Sequence, residues 1–257
     1  MLYSDWYLIM AEVACNAELL EWPKKDKRRL LHVVYRVGDL DRTIKYDPMR
    51  IKLKLWATVL YLLRKRDVPE EKYSNAFLGF GPEQTNFVVE LTYNYGVTSY
   101  DIGTGLGILQ LHRRMFTSWL KTYVPKVALS LGSLVQSKAL GMKLLRRIDN
   151  PQYKYTLAMI GYADEYETTV LELTYNYDVT EYSKGNAYAQ VAIGTDDVYK
   201  SAEVVSLVTQ ELGGKITRPP GPLPGINTKI TSFLDPDGWK TVLVDNEDFL
   251  KELQKEE

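Results

Sequence analysis

The chain has 257 residues, a formal net charge of −1 at pH 7, one cysteine and two histidines. That length holds one large or two ordinary domains with a sizeable core. The near-zero charge excludes a general attraction to nucleic acid or to an anionic membrane surface. A single cysteine, Cys15, excludes an intrachain disulfide framework and fits a reducing compartment. No apolar run is long enough to span a bilayer. Residues 2–10 are apolar but include Asp5 and lack a basic start, which does not read as a signal peptide, so cytoplasm is the expected location.

In chain order, residues 1–29 read as an N-terminal extension ending in an interrupted basic run, Lys24-Lys25-Asp26-Lys27-Arg28-Arg29. Residues 30–37 are β-rich and close on Gly38-Asp39, where Asp39 can cap a helix beginning at Leu40. Asp47-Pro48 should stop that helix, and Ile51-Lys52-Leu53-Lys54-Leu55-Trp56 alternates like a strand. In residues 87–93, Phe87, Val89, Leu91 and Tyr93 share one face and leave Val88, Glu90 and Thr92 on the other. Residues 106–136 read as an amphipathic helix through Trp119, broken at Pro125, followed by a Ser/Leu/Gly-rich connection. Residues 187–193, 229–234 and 239–244 read as strands. The last two are joined by the turn Asp235-Pro236-Asp237-Gly238, and residues 196–212 form a helical pattern ending at Gly213-Gly214.

The organising feature is a duplication. Residues 62–100 align without gaps to residues 144–182. Leu62-Leu63-Arg64, Asp67, Pro69, Lys72, Tyr73, Ala76 and Gly79 recur as Leu144-Leu145-Arg146, Asp149, Pro151, Lys154, Tyr155, Ala158 and Gly161. The hexapeptide Glu-Leu-Thr-Tyr-Asn-Tyr stands at residues 90–95 and again, letter for letter, at 172–177. Both copies are incomplete. The β-rich run before the first has no counterpart before the second, and the strands that follow the second have no counterpart after the first.

Few residues suit chemistry. His112 stands beside Arg113 and Arg114 and reads as a surface residue. His32, on the strand face shared by Val34 and Arg36, is more often a satisfied core histidine than a ligand when taken alone. Glu90 and Glu172 change that weighing: a carboxylate among apolar strand residues is expensive unless paired, hydrogen-bonded or bound to metal. Either the strand's polar face is wet, or the duplicated glutamates line a concave polar interior. Gln190, within Tyr188-Ala189-Gln190-Val191-Ala192, points the same way, although a buried hydrogen-bonded glutamine is the commoner explanation.

His32 in Leu-Leu-His-Val-Val-Tyr-Arg-Val-Gly-Asp, the repeated Glu-Leu-Thr-Tyr-Asn-Tyr and the turn Asp-Pro-Asp-Gly-Trp-Lys together resemble glyoxalase I (lactoylglutathione lyase). The resemblance is to the plant, two-domain, nickel-type form of the vicinal oxygen chelate superfamily. It implies an α+β fold of duplicated βαβββ modules, with one module replaced and one truncated. The corresponding division is 30–105 as a first domain with its first module only, 106–136 as an unrelated helical insert or linker, and 137–251 as a second domain lacking its first strand. Metal sites in this family form where the first module of one domain meets the second module of the other. The implied reaction is isomerisation of the glutathione hemithioacetal of methylglyoxal to S-lactoylglutathione.

Carried over residue by residue, the resemblance implies one site with His32, Glu90 and Gln190 as metal ligands. Val242 stands there at the position of the family's second glutamate, the base. Of the other site it implies only Glu172, a metal ligand and catalytic remnant. Arg36, Asn94 and Asn176 are the implied glutathione contacts, and the implied cofactor is a divalent metal, nickel before zinc. A monomer is expected, with incomplete modules leaving surfaces for self-association. Two other readings stand beside a lyase: a silent relative that binds metal or glutathione conjugates, and a non-enzymatic fragment resembling a splice variant.

Overall fold

The structure, a computed structural model, describes residues 16–50, 61–105, 110–114, 117–124 and 132–255. The apolar stretch 2–10, Cys15, the alternating run 51–56 and Pro125 lie outside the described residues. Among the described residues no helix is long and apolar enough to cross a membrane.

A short helix α1 (Trp22–Lys25) leads into β1 (Arg29–Arg36), followed by α2 (Leu40–Arg50), β2 (Tyr61–Val68), β3 (Tyr73–Gly79) and β4 (Val88–Asn94). Asp39 caps α2 as its sequence position suggests, its Oδ1 accepting from the Arg42 backbone N–H at 2.8 Å. The helix runs on through Asp47-Pro48 to Arg50 rather than stopping there. A proline this near a helix end forfeits one backbone bond and leaves little helix beyond it to disrupt.

The second half comprises β5 (Gln110–Arg114), β6 (Thr117–Val124), α3 (Gly132–Lys138), β7 (Lys143–Asn150), β8 (Tyr155–Gly161) and β9 (Val170–Asn176). Then follow β10 (Tyr188–Thr195), α4 (Val198–Leu212), β11 (Lys215–Pro222), β12 (Lys229–Leu234), β13 (Lys240–Asp245) and α5 (Asn246–Lys255). The strands form two mixed sheets. One has eight strands in the order β11-β12-β13-β10-β1-β4-β3-β2, the other five in the order β5-β6-β9-β8-β7.

The expected helical insert at 106–136 is corrected here. Residues 110–114 and 117–124 are strands, and β6 pairs parallel to β9 just as β1 pairs parallel to β4. With α3 and β7 to β9 following it, β6 therefore supplies the opening strand that the second copy was expected to lack. An open β9 edge would leave a row of unpaired backbone donors and acceptors, which a parallel strand satisfies whatever its helical periodicity.

The duplication is visible in local geometry. The β2–β3 hairpin turns through the 3₁₀ segment Pro69–Glu71 and the left-handed Lys72 (φ 58°). The β7–β8 hairpin turns through Pro151–Tyr153 and Lys154 (φ 55°). The chain passes from β4 to the second sheet, and from β9 back to the first, at Gly103 and Gly185. Both have positive φ, and a Cβ on either would lie 2.6 Å from the backbone nitrogen of the other. Only glycine permits that approach. The crossing brings β10 antiparallel onto β1, so residues from both ends of the chain share one sheet.

The main core lies between the two sheets, with Val33, Leu78, Leu140, Leu171, Ile193 and Phe233 all buried. Asp235 is a buried exception in the turn before β13, where its Oδ1 accepts from the Trp239 backbone N–H at 2.8 Å. Burial first, with Asp237 adding, lifts its carboxyl to about 7. Folding thus favours the protonated form, so the stabilisation is full below the ordinary carboxylate range and lost as pH rises through about 7. Asp235→Asn keeps the acceptor without the charge. It should be more stable than the parent by about 2–4 kcal/mol at pH 8 and nearly equal at pH 4, as read by urea unfolding at both pH values.

Candidate metal-binding cavity

The concave face of the eight-stranded sheet carries a cavity of about 380 Å³. Side chains reach it from seven strands because register keeps one face in line. Val34 pairs with Gln190 on one side and Glu90 on the other, and Glu90 pairs with Phe77. One step along, His32 pairs with Ala192, which pairs with Val242. His32, Glu90, Gln190, Val242, Arg36 and Asn94 all line this one cavity, so strands more than 150 residues apart in sequence meet there. Asn176 lies on β9 of the other sheet, its Nδ2 donating to the Tyr182 hydroxyl at 3.2 Å.

His32 Nε2 stands 3.6 Å from Glu90 Oε2. Its Nδ1 is buried without a hydrogen-bond partner. Burial pushes the imidazole below its ordinary value, opposed by the charges of Glu90, Glu83 and Glu252. An imidazole with an unpartnered buried nitrogen beside a carboxylate is a pair of donors that suits a divalent metal of intermediate softness. Among the described residues no three His, Cys, Asp or Glu side chains cluster as a metal group. The Gln190 amide, which such a grouping does not include, lines the same cavity.

Glu90 is held from behind: Asn75 Nδ2 donates to its Oε1 at 3.0 Å and Thr92 Oγ1 at 3.3 Å. In the second copy Glu172 is 5% exposed, and the Asn75 position is occupied by Leu157. The Asn75 contact that holds Glu90 therefore has no counterpart at Glu172. If Glu90 serves a divalent metal, Asn75→Leu should weaken that metal's binding about 10- to 100-fold in a chelator competition titration, without unfolding the sheet.

Several lining residues carry no sequence-level flag. Arg64 lies 3.5 Å over the Phe77 ring and is paired with Glu83 at 2.6 Å, a pairing the second copy repeats as Arg146–Glu165. The duplication itself was the available signal. Phe249 and Glu252 reach the cavity from α5, whose ring Phe249 lies 6.5 Å from His32. Asn246 ahead of Phe249 and Leu253, four residues apart, was the signal for that helix. At the cavity's other end, Arg36 Nη1 donates to the Asn186 carbonyl at 2.9 Å and Asn94 Nδ2 to the Tyr100 hydroxyl at 2.7 Å.

Paired βαβββ modules around an N/O-lined concavity define a class. Residues 137–243 match the Glyoxalase/Bleomycin resistance protein/Dioxygenase superfamily. The chain is 57% identical to a lactoylglutathione lyase of Arabidopsis thaliana, over 95% of this chain and all of that protein. It is 59% identical to a lactoylglutathione lyase of Oryza sativa subsp. japonica, over 92% of this chain and 96% of that one. Glyoxalase I from Zea mays superposes with a TM-score of 0.80 at 55% identity, covering 92% of this chain and 99% of that chain. A mutant of the maize enzyme superposes equally, with a TM-score of 0.80 at 54% identity over 93% and 99%. The chain belongs to the lactoylglutathione lyase (glyoxalase I) family. The Arabidopsis alignment spans 293 positions against 257 residues here, so at least 36 positions of that relative have no counterpart in this chain.

Proposed function

We propose that this chain is a metal-dependent lactoylglutathione lyase, isomerising the hemithioacetal of methylglyoxal and glutathione in the cavity of the eight-stranded sheet. The observation that carries the reading is the meeting of His32, Glu90 and Gln190 on three strands of one concave face. His32 would offer a ring nitrogen, Glu90 its Oε2 and Gln190 its amide oxygen, with nickel as the proposed ion. When bound, such an ion polarises adjacent substrate oxygens and stabilises negative charge developing on them.

The chain's own residues do the rest. Arg36 and Asn94 are proposed to hold the glutathione end: a guanidinium suits a carboxylate, and an amide suits the peptide groups. Phe77, Val242, Val244 and Phe249 keep one wall apolar, which limits water at the reacting carbons. Asn75 and Thr92 fix the Glu90 carboxylate. A monomer is part of the proposal, since one chain supplies both halves of this cavity. A cytoplasmic location is also part of it, resting on the lone cysteine.

The test is direct. Purified protein loaded with nickel, and in parallel with zinc, is given methylglyoxal and glutathione, and S-lactoylglutathione formation is followed. Metal-dependent product formation, faster with nickel, is expected. Absence of product with either metal, under conditions in which the rice relative is active, would overturn the reading.

A further inference from the structure

A second cavity, of about 230 Å³, lies where a pair of duplicated loops meets the start of β1. Residues 80–87 join β3 to β4 in the eight-stranded sheet, and residues 162–169 are their counterpart between β8 and β9 in the other. Phe80 of the first loop stands where Tyr162 stands in the second, and both rings pack against the main core. Tyr162 thus carries a hydroxyl that its equivalent does without. That hydroxyl is buried and finds no hydrogen-bond partner among the described residues. An orphaned buried hydroxyl is costly, and a bound acceptor removes the cost.

A second donor in the same wall is also left open. Arg29 donates through Nη2 to the Glu83 carbonyl at 3.0 Å, while its Nη1 is buried without a hydrogen-bond partner among the described residues. Burial, opposed by the charge of Glu83, pulls this guanidinium below its ordinary value, and the Phe249 ring 5.8 Å from its Cζ adds to the burial. Arg28 is different. Its Nε pairs with Asp26 Oδ2 at 2.7 Å, and its Nη1 and Nη2 donate to the Ala139 carbonyl and the Ser201 hydroxyl. Its charge is matched and its fork is engaged.

Burial, ahead of the nearby Arg28 and Asp26 charges, holds the Tyr162 phenol well above its ordinary value, so at neutral pH it is an O–H donor. Two open donors on one cavity, one of them cationic, suit a ligand that only accepts and carries negative charge. Thr85, Thr168 and Thr169 line the remaining wall. Thr85 Oγ1 accepts from Asn86 Nδ2 at 3.1 Å, which leaves its own proton to give. Such hydroxyls match a hydroxyl on the ligand. Glu167, exposed in the same wall, adds a like charge and so favours a monoanion over a dianion.

We propose that this cavity binds a small oxyanion, a short hydroxycarboxylate before phosphate, held by Arg29 and Tyr162. It shares no lining residue with the cavity at His32, and the inference does not depend on the lyase reading. A bound anion ties a loop of one sheet to its counterpart in the other, so occupancy should stabilise the junction between them.

The experiment titrates the metal-free full chain, at constant ionic strength, with sodium glycolate and separately with sodium phosphate. Binding is read from the proton and phosphorus NMR signals of the ligands, beside the thermal unfolding midpoint. Saturable binding is expected, tighter for glycolate, with a midpoint that rises as ligand is added. Tyr162→Phe places in the second copy the ring that the first already has at Phe80, so the fold should hold. It should raise the glycolate Kd about tenfold, and Arg29→Gln at least as much. Arg36→Gln, in the other cavity, should leave that Kd within about twofold. Tighter binding of phosphate, weakened by the same two variants, supports the anion site and overturns the preference for a carboxylate. No saturable binding, a Kd unchanged in Tyr162→Phe, or a loss confined to Arg36→Gln overturns the inference. Should Arg29→Gln lose its circular dichroism signal, Tyr162→Phe decides alone.

Discussion

Val242→Glu should raise the turnover of the nickel-loaded chain by about 10²-fold, and should make the metal-free chain less stable. Val242 is 4% exposed and stands in register with Ala192, itself in register with His32. A glutamate there is aimed along the same face as the His32–Glu90 pair, at the position where the resemblance to active family members places their base. Around it lie Val244, Phe249, Ala192 and Ile230, which form a small apolar cluster offering no counter-charge. Burying an unpaired carboxylate among them should destabilise the metal-free protein by about 2–4 kcal/mol. Nickel should restore much of that loss by pairing with the new charge, since a ligand that binds only the folded state stabilises it by mass action. The check is a pair of measurements on one preparation: kcat with nickel, and the unfolding midpoint with and without it. A variant that stays active at the parent's rate and shows no extra nickel stabilisation would mean that β13 does not present residue 242 to the metal.

The opposed behaviour of the elements explains how much of this site was legible in the sequence. The strands bearing Glu90 and Glu172 announce themselves through a repeated hexapeptide and strict alternation, and both are strands. Gln190 stood out because an amide amid alanine and valine needs a reason. What sequence could not supply was partnership. Residues 110–114 and 117–124 repeat their apolar side chains at helical spacing, yet the edge of β9 draws them into a sheet, because strand formation depends on the neighbour as much as on the strand. For the same reason the second copy looked shorter than it is: β6 shares topology with β1, not sequence. The helix α5 was missed for its brevity, and with it Phe249 and Glu252.

The asymmetry between two identical hexapeptides yields the sharpest remaining expectation. Glu90→Gln should weaken nickel binding by about 10²-fold or more and remove turnover, whereas Glu172→Gln should leave both within about twofold. Gln differs from Glu by charge alone at nearly constant shape, so the comparison isolates the carboxylate. Glu90 faces β10 and β13, which bring Gln190 and Val242 to the same cavity, and Asn75 holds it in place. Glu172 pairs in register with Tyr123 on β6, and beyond β6 the sheet ends at β5. No strands equivalent to β11, β12 and β13 complete that half among the described residues. The buried Glu172 carries a neighbouring cation instead: the Arg146 guanidinium feels its charge together with that of Glu165. A role in holding β7 against β9 follows, so Glu172→Gln should show in thermal stability, by about 1–2 kcal/mol, rather than in metal affinity. Competition titration against a chromophoric chelator reads the affinities, and the hemithioacetal assay reads turnover. Were Glu172→Gln the variant that lost nickel, the working centre would lie in the five-stranded sheet, and the cavity at His32 would be the idle copy.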